Sequence, residues 1–327
     1  MPQMKAVVAG EPGEPEVLEY RDARRPSPGE GEVLIRVEAA GINYADTMRR
    51  RDQYLTRQEF PFTPGSEVAG TIAEVGPGVE DASEGDRVAT LLDTGGYAEY
   101  ALAPASSLIP IPDDLGFEEA AAVPLQGLTA YHVIKTSGAL REGESVLVHA
   151  AAGGVGTLAV QMAKLIGAGK VIATAGSEEK LELARALGAD VTIDYTDDAW
   201  PEKVREATDG RGADIILEMV GADFPEKNLR CLATFGRMVV YGAASGDRGQ
   251  IVPAALMNRC QAVVGFWLVR ITQRPDLLVP SLQEILGWIS SGDLKLTVGA
   301  TYPLEKAAEA HADLEGRKST GKLILRP

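Results

Sequence analysis

Ser145-Val146-Leu147-Val148-His149-Ala150-Ala151-Ala152-Gly153-Gly154-Val155-Gly156 decides the reading of this chain. The apolar run 145–149 reads as a buried strand, and the small residues after it as a tight turn. A helical pattern follows, with Leu158, Met162, Leu165 and Ile166 spaced to share one face. Val171-Ile172-Ala173-Thr174 is then a second strand. Strand, small-residue turn, helix, strand is the opening half of a dinucleotide-binding unit. Its pyrophosphate must lie against backbone N–H groups at a helix N-terminus. Gly153 and Gly154 are expected to open that approach, and Gly156 to let helix and strand pack closely. Ala151 stands where the usual first glycine would be; without its strand and helix the motif would be an ordinary turn.

The end of the second strand bears on which dinucleotide is bound. NAD sites place an Asp or Glu about 20 residues past the glycines, on the ribose hydroxyls. Here that place reads Ala175-Gly176-Ser177. No carboxylate stands at the strand end to repel a 2′-phosphate. Ser177 can donate a hydrogen bond, or cap the next helix. Lys180 can add a positive charge one turn later. NADP(H) is the expected cofactor, with Glu178 and Glu179 nearby as the opposing signal.

From this centre the chain reads outward in both directions. Further strands are expected at 191–195, 214–220, 238–242 and 262–268, giving six in a doubly wound α/β sheet. Glu178 to Leu187 is the clearest helix, with Leu181, Ala184 and Leu187 in phase and Gly188 as its C-cap. Residues 1–124 read as β-structure, with strands at 5–9, 32–38, 67–75, 86–92 and 97–102 separated by Gly and Pro turns. After 268 come helical patterns at 276–290 and 304–315 and a terminal strand, Lys322-Leu323-Ile324-Leu325, expected to return to the first domain. The expected division is therefore 1–124 completed by 269–327, with 125–268 as the nucleotide domain.

The 327 residues suffice for two cores. A net charge of -15 argues against nucleic acid or an anionic membrane as a partner. Cys231 and Cys260 cannot build a disulfide framework. No stretch approaches the ~20 apolar residues of a membrane span, and residues 1–8 do not read as a signal peptide, so a cytoplasmic protein is expected. His132, His149 and His311 lack a nucleophile at useful spacing and read as structural; Arg49-Arg50-Arg51 reads as a solvated face. The apolar strand 262–268 should be the sheet edge, which suggests a homodimer formed through it.

Several stretches together resemble the medium-chain dehydrogenase/reductase superfamily, and within it the zinc-free quinone oxidoreductases, the zeta-crystallin-like group. They are Ala40-Gly41-Ile42-Asn43-Tyr44-Ala45-Asp46-Thr47, Pro64-Gly65-Ser66-Glu67-Val68-Ala69-Gly70, Gly85-Asp86-Arg87-Val88, Gly127-Leu128-Thr129-Ala130-Tyr131, the segment 149–156, and Tyr241-Gly242-Ala243. The resemblance covers essentially the whole chain. It implies a GroES-like first domain, a Rossmann second domain and an active-site cleft between them. Zinc members carry Cys and His where this chain has Asn43 and Ser66, and Leu125 stands near a third ligand position, so no metal is expected.

The resemblance also assigns roles. Asn43 is implied to sit near the nicotinamide ribose and substrate, and Thr129 near the nicotinamide end; their plainer readings are a turn asparagine and a helix cap. Lys180 and Tyr195 are implied to line the adenine–phosphate pocket. Arg317 would reach the cofactor from the C-terminal segment, and Tyr241, Gly242 and Ala243 would run along it. With Ala152, Gly153, Gly154, Val155, Gly156, Gly176 and Ser177, and with Phe266 and Leu268 at the last strand, these make up the candidate cofactor set. Tyr54 is the candidate proton donor, or else a cleft-lining aromatic. Met48 departs from the family at a commonly aromatic position.

Without a metal, oxidation of an alcohol by Lewis-acid chemistry is not expected. The expected activity is NADPH-dependent reduction of a quinone or similar electron-poor carbonyl. The alternatives are a 2-enal or enoyl-thioester reductase and, from another class, a non-catalytic NADPH-binding protein such as some crystallins.

Overall fold

The structure, a computed structural model, describes residues 2–327. The first strands are β1 (Gln3–Ala9), β2 (Leu18–Arg24) and β3 (Glu32–Ile42). Helix α1 (Tyr44–Arg50) follows, then β4 (Glu67–Val75), β5 (Arg87–Leu91), β6 (Tyr100–Pro104), β7 (Ile109–Pro110) and α2 (Phe117–Ala120). The middle of the chain holds α3 (Leu128–His132), β8 (Ser145–Val148), α4 (Gly154–Ile166), β9 (Lys170–Ala175), α5 (Glu178–Ala186) and β10 (Val191–Asp194). It continues with α6 (Trp200–Ala207), β11 (Ala213–Glu218), α7 (Phe224–Cys231), β12 (Leu232–Val240), β13 (Ala262–Gly265), α8 (Leu268–Thr272) and α9 (Pro275–Ser291). Last come β14 (Val298–Pro303), α10 (Ala307–Glu315) and β15 (Lys322–Arg326).

Two compact units result: residues 1–125 with 297–327, and 126–296. The return to the first unit therefore begins at 297, not at the expected 269. Helices α8 and α9 stay with the second unit because α9 packs on α3. Tyr131 donates to Glu284 Oε2 at 2.5 Å, and His132 Nε2 meets Ser281 Oγ at 3.0 Å.

In the first unit a seven-stranded sheet runs β14-β15-β3-β4-β5-β7, with β6 also on β3. Alternating inward residues of its strands, such as Val33, Ile35, Val37, Val68, Ile72, Leu323 and Leu325, form the core. The terminal strand pairs with β3 and β14, as its apolar run predicts. β2, which pairs with β1, was not foreseen, because Leu-Glu-Tyr-Arg-Asp-Ala-Arg offers only one buried apolar residue. The strand expected at 97–102 runs instead from 100 to 104.

The second unit is a six-stranded parallel sheet in the order β10-β9-β8-β11-β12-β13. All four residues of β8 are buried, as a strand covered on both faces requires. Leu147, Ile172, Ile216, Met238 and Trp200 build one core layer. α4 is buried almost all round from Gly156 to Ala163, while Leu165, expected on its apolar face, is 36% exposed. The strand expected over 262–268 stops at Gly265, since Trp267 caps α8. No helix among the described residues is long and apolar enough to cross a membrane.

Candidate active site

Every candidate cofactor residue of the second unit except Thr129 follows the carboxyl end of a sheet strand. Residues 152–156 follow β8, 176–180 follow β9, Tyr195 follows β10, 241–243 follow β12, and Phe266 and Leu268 follow β13. That edge of a parallel sheet is where crossover loops converge and nucleotides bind.

The turn at α4 is shaped by its glycines unequally. Gly153 is the N-cap, extended at φ -80° and ψ 175°, and a Cβ there would meet only the Ala150 carbonyl, at 3.3 Å. At Gly156 a Cβ would lie 2.3 Å from the same carbonyl and 2.7 Å from Ala151 Cα, so close packing demands glycine. Gly154 corrects the sequence reading. Its missing side chain makes room for Gln126, whose Oε1 would lie 2.0 Å from a Cβ. Ala150 holds φ 48° to turn the chain out of β8.

At the end of β9 the Tyr195 ring covers Gly176; a Cβ there would meet its ring atoms at 3.1–3.4 Å. Tyr195 also stands edge-on to Phe224, with centroids 5.6 Å apart. Ser177 occupies the N-cap of α5, but its side chain makes no capping hydrogen bond and it is exposed. Lys180 is half-buried three residues on. Glu178, the opposing charge, points to Arg185 at 3.4 Å. Gly176 and Tyr195 are thus in contact, and Ser177 and Lys180 follow Gly176 at the start of α5. The residues fit a phosphorylated dinucleotide: a side-chain-free helix start, an uncommitted serine and a lysine, with no carboxylate at the end of β9.

Behind this edge lies a buried polar chain. Thr174 Oγ1 donates to His149 Nδ1 at 2.7 Å, and His149 Nε2 donates to Asn228 Oδ1 at 2.7 Å. Asn228 Nδ2 in turn donates to Glu218. Glu218 Oε1 accepts the Val220 and Gly221 N–H groups at 2.6 and 2.8 Å, fixing the loop beside Tyr241. Burial holds His149 neutral, its pKa lowered to about 4, and pushes Glu218 up to about 7 against those three donors. Burial, then the Glu218 charge, raises the Tyr241 hydroxyl.

Asn43, Tyr54 and Arg317 belong to the first unit, and Thr129 to the second. Thr129 is buried inside α3, two residues past its N-cap Gly127, so it is not a helix cap. Tyr54 lies under the Arg49 guanidinium, 4.8 Å from its ring centroid, and Arg49 is tied to Asp93 at 2.8 Å. Arg317 is exposed at φ 56° just past α10, and its charge is felt by Tyr44, the neighbour of Asn43.

Asn43 is the N-cap of α1 and 3% exposed. Its N–H donates to Asp46 Oδ2 at 2.9 Å, and its Nδ2 donates to Glu67 Oε1 at 2.7 Å. Its Oδ1 accepts from Lys322 Nζ at 2.9 Å. Ser66 Oγ donates to Asp46 Oδ1 at 2.8 Å, and Leu125 N–H donates to Glu67 Oε2 at 2.7 Å. This donor set does not fit a metal. The Asn43 amide and Ser66 hydroxyl are engaged by protein partners, the Leu125 side chain is apolar, and a buried ammonium already sits at the carboxylate. No cluster of three or more His, Cys, Asp or Glu able to hold a metal occurs among the described residues.

The arginine run is not a solvated face: Arg50 is fully buried and Arg49 is 8% exposed. Arg50 donates to His311 Nδ1 at 2.9 Å and to Glu315 at 2.8 Å. That leaves the His311 proton on Nε2, which donates to the Tyr97 oxygen at 3.0 Å; Tyr97 donates to Asp46 at 3.2 Å. Burial raises Asp46, opposed by Ser66 and the Asn43 N–H. Sequence reasoning missed Asp46, Glu67, Lys322 and Gln126. The one visible signal was a lysine at the start of an apolar strand.

Comparison with known proteins extends this geometry. Residues 29–113 match the alcohol dehydrogenase GroES-like domain, and residues 154–284 match the domain described as zinc-binding dehydrogenase. The quinone oxidoreductase of Pseudomonas aeruginosa is 38% identical over 317 residues, 96% of this chain and 97% of the relative. The chain belongs to the quinone oxidoreductase family of the medium-chain dehydrogenase/reductase superfamily. The human quinone oxidoreductase is likewise 38% identical, over 98% of this chain and 97% of its own. The Escherichia coli quinone oxidoreductase, solved in complex with NADPH, superposes with a TM-score of 0.93 at 33% identity, covering 99% of this chain and all of that one. The GroES-like and Rossmann architecture of the family is the one described above.

Proposed function

We propose that this chain is an NADPH-dependent quinone oxidoreductase that works without a metal, as a soluble cytoplasmic homodimer. The observation that supports the cofactor reading is the end of β9, where Tyr195 lies over Gly176 and Ser177 and Lys180 follow at the start of α5 with no strand-end carboxylate. The pyrophosphate lies on the N-terminus of α4 beside Gly153. Ser177 and Lys180 hold the 2′-phosphate, and Tyr195 covers the adenine end. Tyr241, Gly242, Ala243, Phe266 and Leu268 line the remaining sheet edge. Asn43 and Thr129 orient the nicotinamide end.

Bound NADPH supplies the reducing equivalents. The protein's part is to orient a flat acceptor and keep water from the ring. A reduced quinone can take its protons from water, so no strong protein acid is required. The metal-free reading is supported by the engaged amide of Asn43 and hydroxyl of Ser66.

The test is NADPH oxidation against parallel panels of quinones and 2-enals. Turnover with quinones is expected. Turnover confined to enals would support the enoyl-type reductase, and nucleotide binding without turnover on either panel would support a binding protein.

A further inference from the structure

Lys322 opens the last strand, and its side chain is 1% exposed beside a Glu67 that is fully buried. Its ammonium donates to Ile42 O at 3.2 Å, to Asn43 Oδ1 at 2.9 Å and to Glu67 Oε1. Three donors meet three acceptors, so the group is spent entirely inside the protein. Gly41 makes the space: a Cβ there would lie 2.6 Å from both Glu67 Oε1 and Lys322 Cε.

The Asn43 carboxamide is caught between a cation and an anion. Its oxygen faces the ammonium and its nitrogen faces the carboxylate. The opposite flip would put NH₂ against the ammonium and oxygen against the carboxylate, so one orientation is selected. The backbone N–H of the same residue is held separately by Asp46.

We propose that Lys322 is a positioning residue, which with Glu67 fixes the Asn43 carboxamide in the single orientation presented to the nicotinamide end of the cofactor. The role of Asn43 there rests on the function proposed above. The positioning itself does not. A pair that only stapled β15 to β3 and β4 would matter for stability but not for which part of a ligand is felt.

The experiment uses the full chain and two readouts. Side-chain amide NMR of the parent, assigned with Asn43→Ala, should show an Asn43 NH₂ pair with one proton shifted downfield and protected from exchange. An Asn43 pair at ordinary shifts that exchanges with solvent like an exposed carboxamide overturns the proposal whatever the protein's activity. The second readout is the variant Lys322→Met/Glu67→Gln, which removes both charges so that neither is left buried alone. It should weaken NADPH binding about tenfold while 2′,5′-ADP, which lacks nicotinamide, changes less than about twofold. Equal loss for both ligands, or for neither, overturns it. If the variant does not fold, the parent spectrum still decides. Absence of quinone turnover would count against the function proposed above and leave both readouts intact.

Discussion

The Gln126 carboxamide occupies the space a side chain at residue 154 would need: a Cβ on Gly154 would lie 2.0 Å from its Oε1. The neighbouring Gly156 is constrained by backbone instead, at 2.3 Å from the Ala150 carbonyl. The two glycines should therefore respond differently. Gly156→Ala must push α4 off β8, costing on the order of 1–3 kcal/mol and NADPH affinity with it. Gly154→Ala can be absorbed by a rotation of Gln126, and Gln126→Gly should restore most of what it loses. Thermal melts and nucleotide titration of the three variants check this; equal damage from both alanines would contradict it.

The phosphate pocket gives a second expectation. A charge-assisted hydrogen bond contributes about 1.5–3 kcal/mol, so Lys180→Ala should lower the preference for NADPH over NADH about tenfold or more. Ser177→Asp places a carboxylate at the N-cap of α5 and should reverse the preference. Affinities measured for both nucleotides decide it. A parent that favours NADH would remove the basis for both variants.

Tyr54 lies beneath Arg49, its ring face given to the guanidinium. General acid catalysis is worth roughly a hundredfold or more. If protons reach the reduced quinone from water, Tyr54→Phe should change kcat by less than about threefold, because the ring and its stacking remain. A hundredfold loss would make the hydroxyl the acid.

How much of this was legible followed from how local each signal is. The six-stranded sheet could be read from 145–268 because doubly covered strands are short apolar runs, and Val146-Leu147-Val148 needs no partner to be recognised. β2 could not, since its residues face water and only its pairing with β1 makes it a strand. The same holds for the buried charges. Arg50 looks like its neighbours until His311 and Glu315 arrive from 261 and 265 residues away. Lys322 and Glu67 are 255 residues apart, so neither declares its partner locally. Gly154 fitted a motif whose usual explanation is ligand approach, and only Gln126 in place showed another tenant.

Stability should rise with pH from 5 through neutrality and level off at about pH 8, because three histidines gain more than one glutamate loses. Glu218, pushed up to about 7 from 4.5, binds its proton more readily folded than unfolded. Its contribution is complete below pH 4.5 and disappears as pH rises through 7. His132 and His149, lowered to about 4, and His311, lowered to about 3, act the other way. The unfolded chain protonates them near 6.5, so their contribution is intact above 6.5 and is lost as pH falls toward 4. Urea unfolding at pH 8, 6.5 and 5 should give the lowest midpoint at 5, and a midpoint at 8 no lower than at 6.5. Glu218→Gln should steepen this rise by removing the one group that opposes it, and His149→Gln should make it shallower by about one proton.

Among the described residues, the edge strand β13 is paired on one side only, to β12. Val263 and Val264 are half-buried in it, while Ala262 and Gly265 are exposed. Beside it in sequence, Val252 is 68% and Met257 77% exposed. An unpaired apolar edge with exposed neighbours is costly to leave in water, and a second copy of the same edge is self-complementary across a two-fold axis. Gel filtration with light scattering should find about twice the 34.6 kDa chain mass. Val263→Lys sets two like charges against each other across such a joint and should yield monomer. The proposed nucleotide edge of each copy is at the carboxyl ends of the strands, away from the ladder itself, so the monomeric variant should keep its NADPH affinity. A parent that runs at 34.6 kDa would leave the edge without this partner.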